Sequence, residues 1–215
     1  HAEETLSQKE LSQLEIAQSE IRYRNVKQLQ VRHLNFAYPD GKQILKDISF
    51  KAEKGQIIGI TGPVACGKST LGKVFLCEYP YEGQILVDGK ELQNMPQSWQ
   101  TNIIGYLGHD PELFNDSVEN NVLMGEQKKT EDFLKMVCMA EEVNEMDDGL
   151  QTLVGNGGVR LSGGQGKRLA LARTLCHKKP VLVLDDPFSA LDKSTERQIF
   201  ANLKAQAKEN IVLLI

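Results

Sequence analysis

The chain has 215 residues, 40% of them hydrophobic and 25% charged, with a formal net charge of −4 at pH 7. That is enough chain for one domain with a sizeable core, and its acidic balance argues against a bulk electrostatic nucleic-acid binder. The longest apolar runs, "IIGI" (57–60), "VLVL" (181–184) and "IVLLI" (211–215), fall far short of the roughly 20 residues that span a bilayer.

Residues 1–38 contain no Gly and no Pro, and "LSQKELSQLEIAQSEIRYR" is rich in helix formers. Leu11, Leu14, Gln18 and Ile21 share one helical face, a thin stripe that suits either a solvated connector helix or a partner-binding coiled coil. From Val31 the pattern changes. "VRHLNFAY" alternates, "PDG" marks a turn, and "QILKDISFKA" alternates again. "QIIGIT" predicts a strand buried on both faces, and "KSTLGKVFLCEY" predicts a helix ending before Pro80. "GQILVDGKEL" reads as a hairpin. Between about 110 and 178 the pattern is mostly helical, with "TEDFLKMVCMAEEV" and "GGQGKRLALARTLCHKK" the clearest segments. "PVLVLDD" is a buried strand, "STERQIFANLKAQAKE" an amphipathic helix, and "NIVLLI" a further core strand. The expected architecture is α/β, with a mostly parallel sheet, an antiparallel β-subdomain at the N-terminal side and an inserted helical subdomain.

"GPVACGKST" (62–70) fits G-x-x-x-x-G-K-[ST] and sits between a predicted strand and a predicted helix, the context this phosphate-binding motif requires. Gly62 and Gly67 let the chain curl through Pro63, Val64, Ala65 and Cys66, so that backbone N–H groups converge on phosphate oxygens. The helix start at Lys68, Ser69 and Thr70 adds its dipole. Lys68 supplies a cation for the β/γ phosphates, and the Ser69 hydroxyl can hold Mg²⁺. Cys66 is one of four cysteines (66, 77, 138, 176) with no paired spacing and no neighbouring histidine cluster, so reduced thiols are expected, not a disulfide framework or a zinc site. Alkylating Cys66 is expected to block nucleotide binding.

Two adjacent aspartates, Asp185 and Asp186, end the run "VLVL". Like charges at the end of a buried strand are costly unless a cation sits there. Asp185, downstream of a phosphate loop, is the candidate holder of the nucleotide's Mg²⁺.

"LSGGQ" (161–165), followed by "GKRLALAR", lies between the phosphate loop and the aspartate pair. This order resembles the ATP-binding cassette (ABC) family, whose signature is that pentapeptide, and the resemblance covers nearly the whole chain from about Val31. It implies a P-loop NTPase core and a cassette of ATP and Mg²⁺ chemistry. In the family the signature, here Ser162, Gly163, Gly164 and Gln165, faces the nucleotide of a second cassette. Two ATP molecules are then sandwiched between two cassettes. Tyr38 in "FAYPDG" matches the aromatic residue that stacks on adenine. Ser189, Ala190, Leu191 and Asp192 match the segment that contacts the opposite subunit. "IIGYLGHDPELFNDSVENNVLMG" (103–125) and "LVGNGGVRLSGGQ" resemble the exporter version of the family.

Three positions depart from the family pattern. Members commonly carry Glu after the metal-binding Asp, where it polarises the attacking water; here Asp186 is shorter by one carbon–carbon bond, roughly 1.5 Å. A misplacement of about 1 Å can cost around 10²-fold in rate. His109 stands where a Gln usually touches Mg²⁺ and the water, and imidazole suits Mg²⁺ poorly. Ala65 replaces a common glycine. The family's switch histidine would follow "IVLLI".

The expectation is therefore an exporter's nucleotide-binding domain over residues 31–215, with residues 1–30 as a connector helix from a membrane domain. Catalysis falls to Asp186, Lys68 and His109, and metal binding to Ser69, Asp185 and His109. The partners are transmembrane domains and a second cassette, not nucleic acid, and the place is the cytoplasmic face of a membrane. An intact signature beside a weakened catalytic position resembles the poorly hydrolysing half of an asymmetric pair. The alternatives are a soluble cassette ATPase and a regulatory ATP-binding module. The chain opens with His1 and stops inside an apolar run, so it reads as a piece of something larger.

Overall fold

The computed structural model describes residues 25–215. The connector segment expected over 1–30 therefore lies mostly outside the described residues, and its last three residues, 28–30, already belong to a strand. Two sheets organise the chain. The first is antiparallel and comprises β1 (Gln28–Ala37), β2 (Gln43–Glu53), β4 (Glu82–Val87) and β5 (Lys90–Glu91), in the order β2-β1-β4-β5. Alternation in β1 buries Leu29 and Val31, and after a break at Arg32–His33 (His33 φ 47°) it resumes one residue out of step, so that Leu34 and Phe36 enter the same core. The β4–β5 hairpin turns at Asp88 (φ 48°) and Gly89 (φ 79°), the Asp-Gly pair that a tight hairpin with two positive φ values demands. The Asp88 carboxylate also accepts hydrogen bonds from the Lys27 and Gln28 N–H groups (3.0 and 2.8 Å), which fixes where β1 enters the sheet.

The second sheet is parallel throughout, in the order β3 (Ile57–Gly59), β10 (Ile211–Leu214), β9 (Val181–Leu184) and β6 (Ile104–Leu107). Its two central strands are aliphatic because both faces are covered. Val181, Val183, Ile211 and Leu213 join the core shared with the antiparallel sheet, while Leu182, Leu184 and Val212 join the core under the helices. β3 differs from expectation. It lies at the sheet edge and its isoleucines are half-buried, because it pairs with β10 alone.

Helix α1 (Lys68–Val74) packs across the parallel sheet: a Cβ at Gly72 would crowd Ile215 and Tyr106 (2.9 and 3.2 Å) and touch Val183 (3.5 Å). It is five residues shorter at its C-terminal end than the expected helix. Phe75, Leu76 and Cys77 instead make tight bonds to residues three back, and Cys77 turns left-handed (φ 54°). After α2 (Gln97–Ile103) and β6 comes the helical segment. It contains a two-stranded ladder, β7 (Asp116–Ser117) with β8 (Leu153–Val154), and α3 (Val118–Leu123), α4 (Thr130–Met136), α5 (Ala140–Asn144) and α6 (Gly163–Cys176). The run 130–143, expected as one helix, is split at Cys138 (φ 53°), where the Met139 N–H reaches back to the Leu134 carbonyl and closes α4. Helix α7 (Lys193–Gln206) returns the chain to β10, burying Ile199 and Leu203.

Candidate functional site: the carboxyl edge of the parallel sheet

Parallel strands place all their carboxyl ends on one edge, and ligands of such sheets gather there. β3 runs into the glycine-rich loop and β9 into the two aspartates, with β10 between them. Two strand spacings put the loop and the aspartates about 10 Å apart.

The loop is shaped for an anion. Gly67 takes φ 99° and is the N-cap of α1; no side chain caps that helix, and no acidic residue sits in its first turn. The amides at such a helix start have no intrahelical acceptor and present a positive dipole end. Lys68 folds back so that its Nζ donates to the Gly62 and Pro63 carbonyls, both at 2.9 Å, which holds an ammonium inside the curl. A Cβ at Gly62 would lie 2.8 Å from the Cys66 sulfur and would push that exposed thiol aside. Pro63, Val64, Ala65, Cys66 and Ser69 are exposed, and Thr70 is half-buried. Ala65 is held at φ 63°, a region that costs a residue with a side chain roughly 1–2 kcal/mol and glycine little. The family's customary glycine at this position thus has a physical reason.

Asp185 is 3% exposed. Its N–H donates to the Leu107 carbonyl (2.8 Å), extending the β6–β9 ladder by one residue, and its Oδ2 is buried without a hydrogen-bond partner. An orphaned buried carboxylate oxygen is costly unless a cation completes it. A hydroxyl (Ser69) and a carboxylate (Asp185) are hard oxygen donors of the kind Mg²⁺ takes, usually together with phosphate oxygens. Among the described residues no group of three or more His, Cys, Asp or Glu side chains is arranged to hold a metal. The residues present thus fit a magnesium ion completed by a nucleotide. Tyr106, beside Asp185, also keeps a buried, unpartnered hydroxyl; burial first, then the Asp185 charge, pushes its pKa up to about 12.

Asp186 has partners of its own. Its N–H donates to the Ile215 carbonyl (2.9 Å), and its backbone is left-handed (φ 51°), a strained state for a non-glycine residue. The turn carries its half-exposed carboxylate to His109 Nδ1 (3.4 Å) and Lys167 Nζ (3.7 Å). His109, expected at the metal, is thus brought to Asp186, and its Nε2 lies 3.9 Å from Asp110. Tyr38 is half-buried and meets Phe36 and Tyr79 edge-on (centroids 5.0 and 5.9 Å). Beside it opens a cavity of about 360 Å³ bordered by Tyr79, Lys73, Glu78 and Tyr106.

The "LSGGQ" segment starts α6. The Ser162 hydroxyl accepts from the Gln165 N–H (3.2 Å), and the Gln165 side chain accepts from the Ser162 N–H (2.9 Å), a reciprocal cap. The Ser162 amide is therefore engaged within the helix start. Gln165 is also held through its amide nitrogen by Glu142 (3.0 Å), which pairs in turn with Arg168 at 2.5 and 2.9 Å. Arg168 holds the Glu142 carboxyl below its ordinary range. Gly164 is required by close approach, since a Cβ there would lie 2.8 Å from the Ala190 carbonyl oxygen. Asp192 caps α7, accepting from the backbone and hydroxyls of Ser194 and Thr195, which hold its carboxyl well below the usual range.

Ser162, Gly163, His109, Lys167, Ser189 and Ala190 border a second cavity of about 790 Å³, and no residue of the 62–70 loop lines it. Within one chain the signature and the phosphate loop do not share a site.

These features coincide with a known pattern: the model of the family described as "ABC transporter" matches residues 45–189. The chain belongs to the ABC transporter family. Relatives of this cassette include the ATP-binding cassette sub-family B member 6 of Xenopus tropicalis, 37% identical over 180 residues, covering 81% of this chain and 21% of the relative. The ATP-dependent lipid A-core flippase of Pseudomonas aeruginosa is 40% identical over 194 residues, covering 87% and 32%. Among solved structures, a bacterial Atm1-family ABC exporter with ATP bound superposes with a TM-score of 0.83 at 31% identity, covering 89% of this chain and 35% of that one. The cassette thus spans between about a fifth and a third of the length of these curated relatives. Among the described residues no helix is long and apolar enough to cross a membrane.

Sequence reasoning missed the buried connector between the two halves of the helical segment. Arg173 on α6 donates to the Asn121 and Glu112 carbonyls (2.8 and 3.0 Å) and to Asn121 Oδ1 (2.7 Å), and lies 4.7 Å over the Phe114 ring. Asn121 itself bridges the Phe114 and Ser117 carbonyls, both at 3.0 Å. An Arg among the apolar residues of "RLALARTL" was the available signal.

Proposed function

We propose that this chain binds and hydrolyses ATP, with Mg²⁺, to drive an exporter, working at the cytoplasmic face of a membrane with transmembrane domains and a second cassette. The buried, unpartnered Asp185 oxygen carries the reading. It lies on the same sheet edge as an uncapped helix start and a lysine-lined loop. The loop amides of residues 62–70 bind the phosphates, Lys68 adds charge at the β/γ end, and Tyr38 offers an aromatic face to the base. Ser69 and Asp185 hold Mg²⁺, which when bound neutralises phosphate charge. Asp186 orients the attacking water, and His109 steadies that carboxylate instead of touching the metal. Because the signature borders a different cavity from the loop, Ser162, Gly163 and Gly164 serve the nucleotide of the opposing cassette, with residues 189–192 at the seam. Gln165 acts in that role by holding Ser162.

The short Asp186 side chain, itself engaged by His109 and Lys167, makes this the slow half of an asymmetric pair. Asp186→Glu is expected to raise single-turnover hydrolysis by about tenfold or more without changing ATP affinity. Brisk hydrolysis by the homodimer together with no gain from Asp186→Glu would refute the slow-half assignment.

A further inference from the structure

Two adjacent cations on α6, Lys167 and Arg168, are both nearly buried. Arg168 has a bidentate partner in Glu142. Lys167, whose side chain is 10% exposed, donates to the Ser189 hydroxyl and lies 3.7 Å from the Asp186 carboxylate. Among the described residues no other carboxylate comes within ion-pair distance of it. An ammonium so enclosed requires a counter-charge, and removing that charge leaves a buried cation uncompensated. Asp186 is therefore claimed twice, by the water it would orient and by the lysine it balances. The Ser189 hydroxyl also lies 3.4 Å from the Asp186 carbonyl, and the Ser189 N–H donates to the same oxygen (3.5 Å). Lys167, Ser189 and the Asp186 turn thus form one closed unit joining the signature helix to the end of β9.

We propose that Lys167 is a positioning residue that holds the Asp186 carboxylate toward the chain's own signature helix and so slows hydrolysis at this cassette's phosphate loop. The inference rests on the reading of Asp186 given under Proposed function. A carboxylate shared with an ammonium is a weaker acceptor for water, and one tied to α6 is less free to swing toward a nucleotide at the phosphate loop. The signature therefore has two effects of opposite sign. Its first turn serves the opposing nucleotide, while its second turn restrains hydrolysis at its own. Lys167 borders the signature cavity and not the phosphate loop, so the restraint acts on turnover and leaves nucleotide binding alone.

The test uses the assembled transporter with MgATP, its partner cassette inactivated by replacing that cassette's own phosphate-loop lysine so that turnover reports on this cassette alone, and, separately, the nucleotide-free 215-residue chain. Lys167→Gln is expected to raise kcat about two- to five-fold, the range a partly exposed ion pair supports, with KM unchanged; Lys167→Arg is expected to keep the slow rate. In the nucleotide-free chain, Lys167→Gln and Asp186→Asn should each lower the unfolding midpoint, and the double variant should lower it by less than their sum. A kcat that falls or does not move in Lys167→Gln, or midpoints that simply add, would overturn the proposal. Wild-type protein that does not bind ATP would overturn the reading of the site and this inference together. Normal ATP binding with additive midpoints would overturn the inference alone.

Discussion

Helices α1 and α6 both start among glycines next to a phosphate-type motif, yet their first turns are finished in different ways. At α1 the cap is Gly67 in a left-handed conformation, no side chain accepts from the first amides, and Lys68 closes the curl through backbone carbonyls. At α6 the Ser162–Gln165 pair caps the helix from within, and Glu142 anchors that pair to Arg168. A glycine cap costs only a few tenths of a kcal/mol relative to a side-chain cap but leaves the first amides without a side-chain acceptor, so the open end at α1 makes sense as a place where a ligand supplies the acceptors. The capped end at α6 is complete without a ligand and offers a preset surface. On the proposed reading, one helix start receives a nucleotide and the other is presented to one.

Removing the cation at the open end breaks this contrast most severely. Lys68→Ala is expected to weaken ATP binding by about 100-fold, the scale of losing one well-placed donor to a developing or localised negative charge. Titration with a fluorescent ATP analogue measures it. Ser162→Ala, at the capped end, should leave that binding constant where it is, since Ser162 borders a separate cavity. Equal losses in the two variants would mean that the two helix starts serve the same nucleotide in one chain.

Alkylation of Cys66 sharpens the same point with a smaller intervention. The thiol is exposed and packs over Gly62, where even one added carbon would meet it at 2.8 Å. An adduct here should obstruct the loop and abolish nucleotide binding, and bound MgATP should slow the modification. Unchanged ATP affinity after complete labelling, followed by mass spectrometry, would show that the loop is not the phosphate site. Cys176, buried at the end of α6, should stay unlabelled under the same conditions.

How much of this was legible beforehand depends on whether a residue's role is set by chain-local spacing or by tertiary neighbours. The Gly62–Thr70 loop, the aspartates after "VLVL" and the strand-helix-strand alternation that makes the core sheet mostly parallel follow from local pattern, because a strand, a tight turn and a helix start are each specified within a dozen residues. The position of β3 at a sheet edge was not legible, since apolar content does not reveal how many neighbours a strand will have. Nor was the break at Cys138, where "TEDFLKMVCMAEEV" keeps helical periodicity while the chain turns left-handed to let α5 pack. At the site, His109 and Lys167 are the instructive cases. The family resemblance places His109 near the metal and the water, but its contact with Asp186 comes from a segment 77 residues away, and Lys167, an ordinary polar residue in sequence, meets the same carboxylate from 19 residues away. Spacing carries no record of that meeting.

The smallest expected effect concerns the capped end alone. Ser162→Ala should lower stability by about 1 kcal/mol, read as a drop in the unfolding midpoint. Glu142, whose carboxyl Arg168 holds below its ordinary value of 4.5, adds a pH dependence of determined sign. A carboxyl depressed in the folded state binds its proton more readily when unfolded. Its contribution is therefore complete above the ordinary glutamate pKa and is lost as the pH falls through the lower folded value. Because the side chain is partly exposed, solvent screening keeps that contribution modest. Glu142→Gln should accordingly flatten part of the acid limb of the stability curve between about pH 5 and pH 3 while leaving ATP affinity at the open end unchanged. If the variant and the parent lost stability in parallel over that range, the Glu142–Arg168 pair would not be what holds Gln165 and Ser162 in place, and the preset surface at α6 would have to be attributed to its glycines and the Ala190 contact alone.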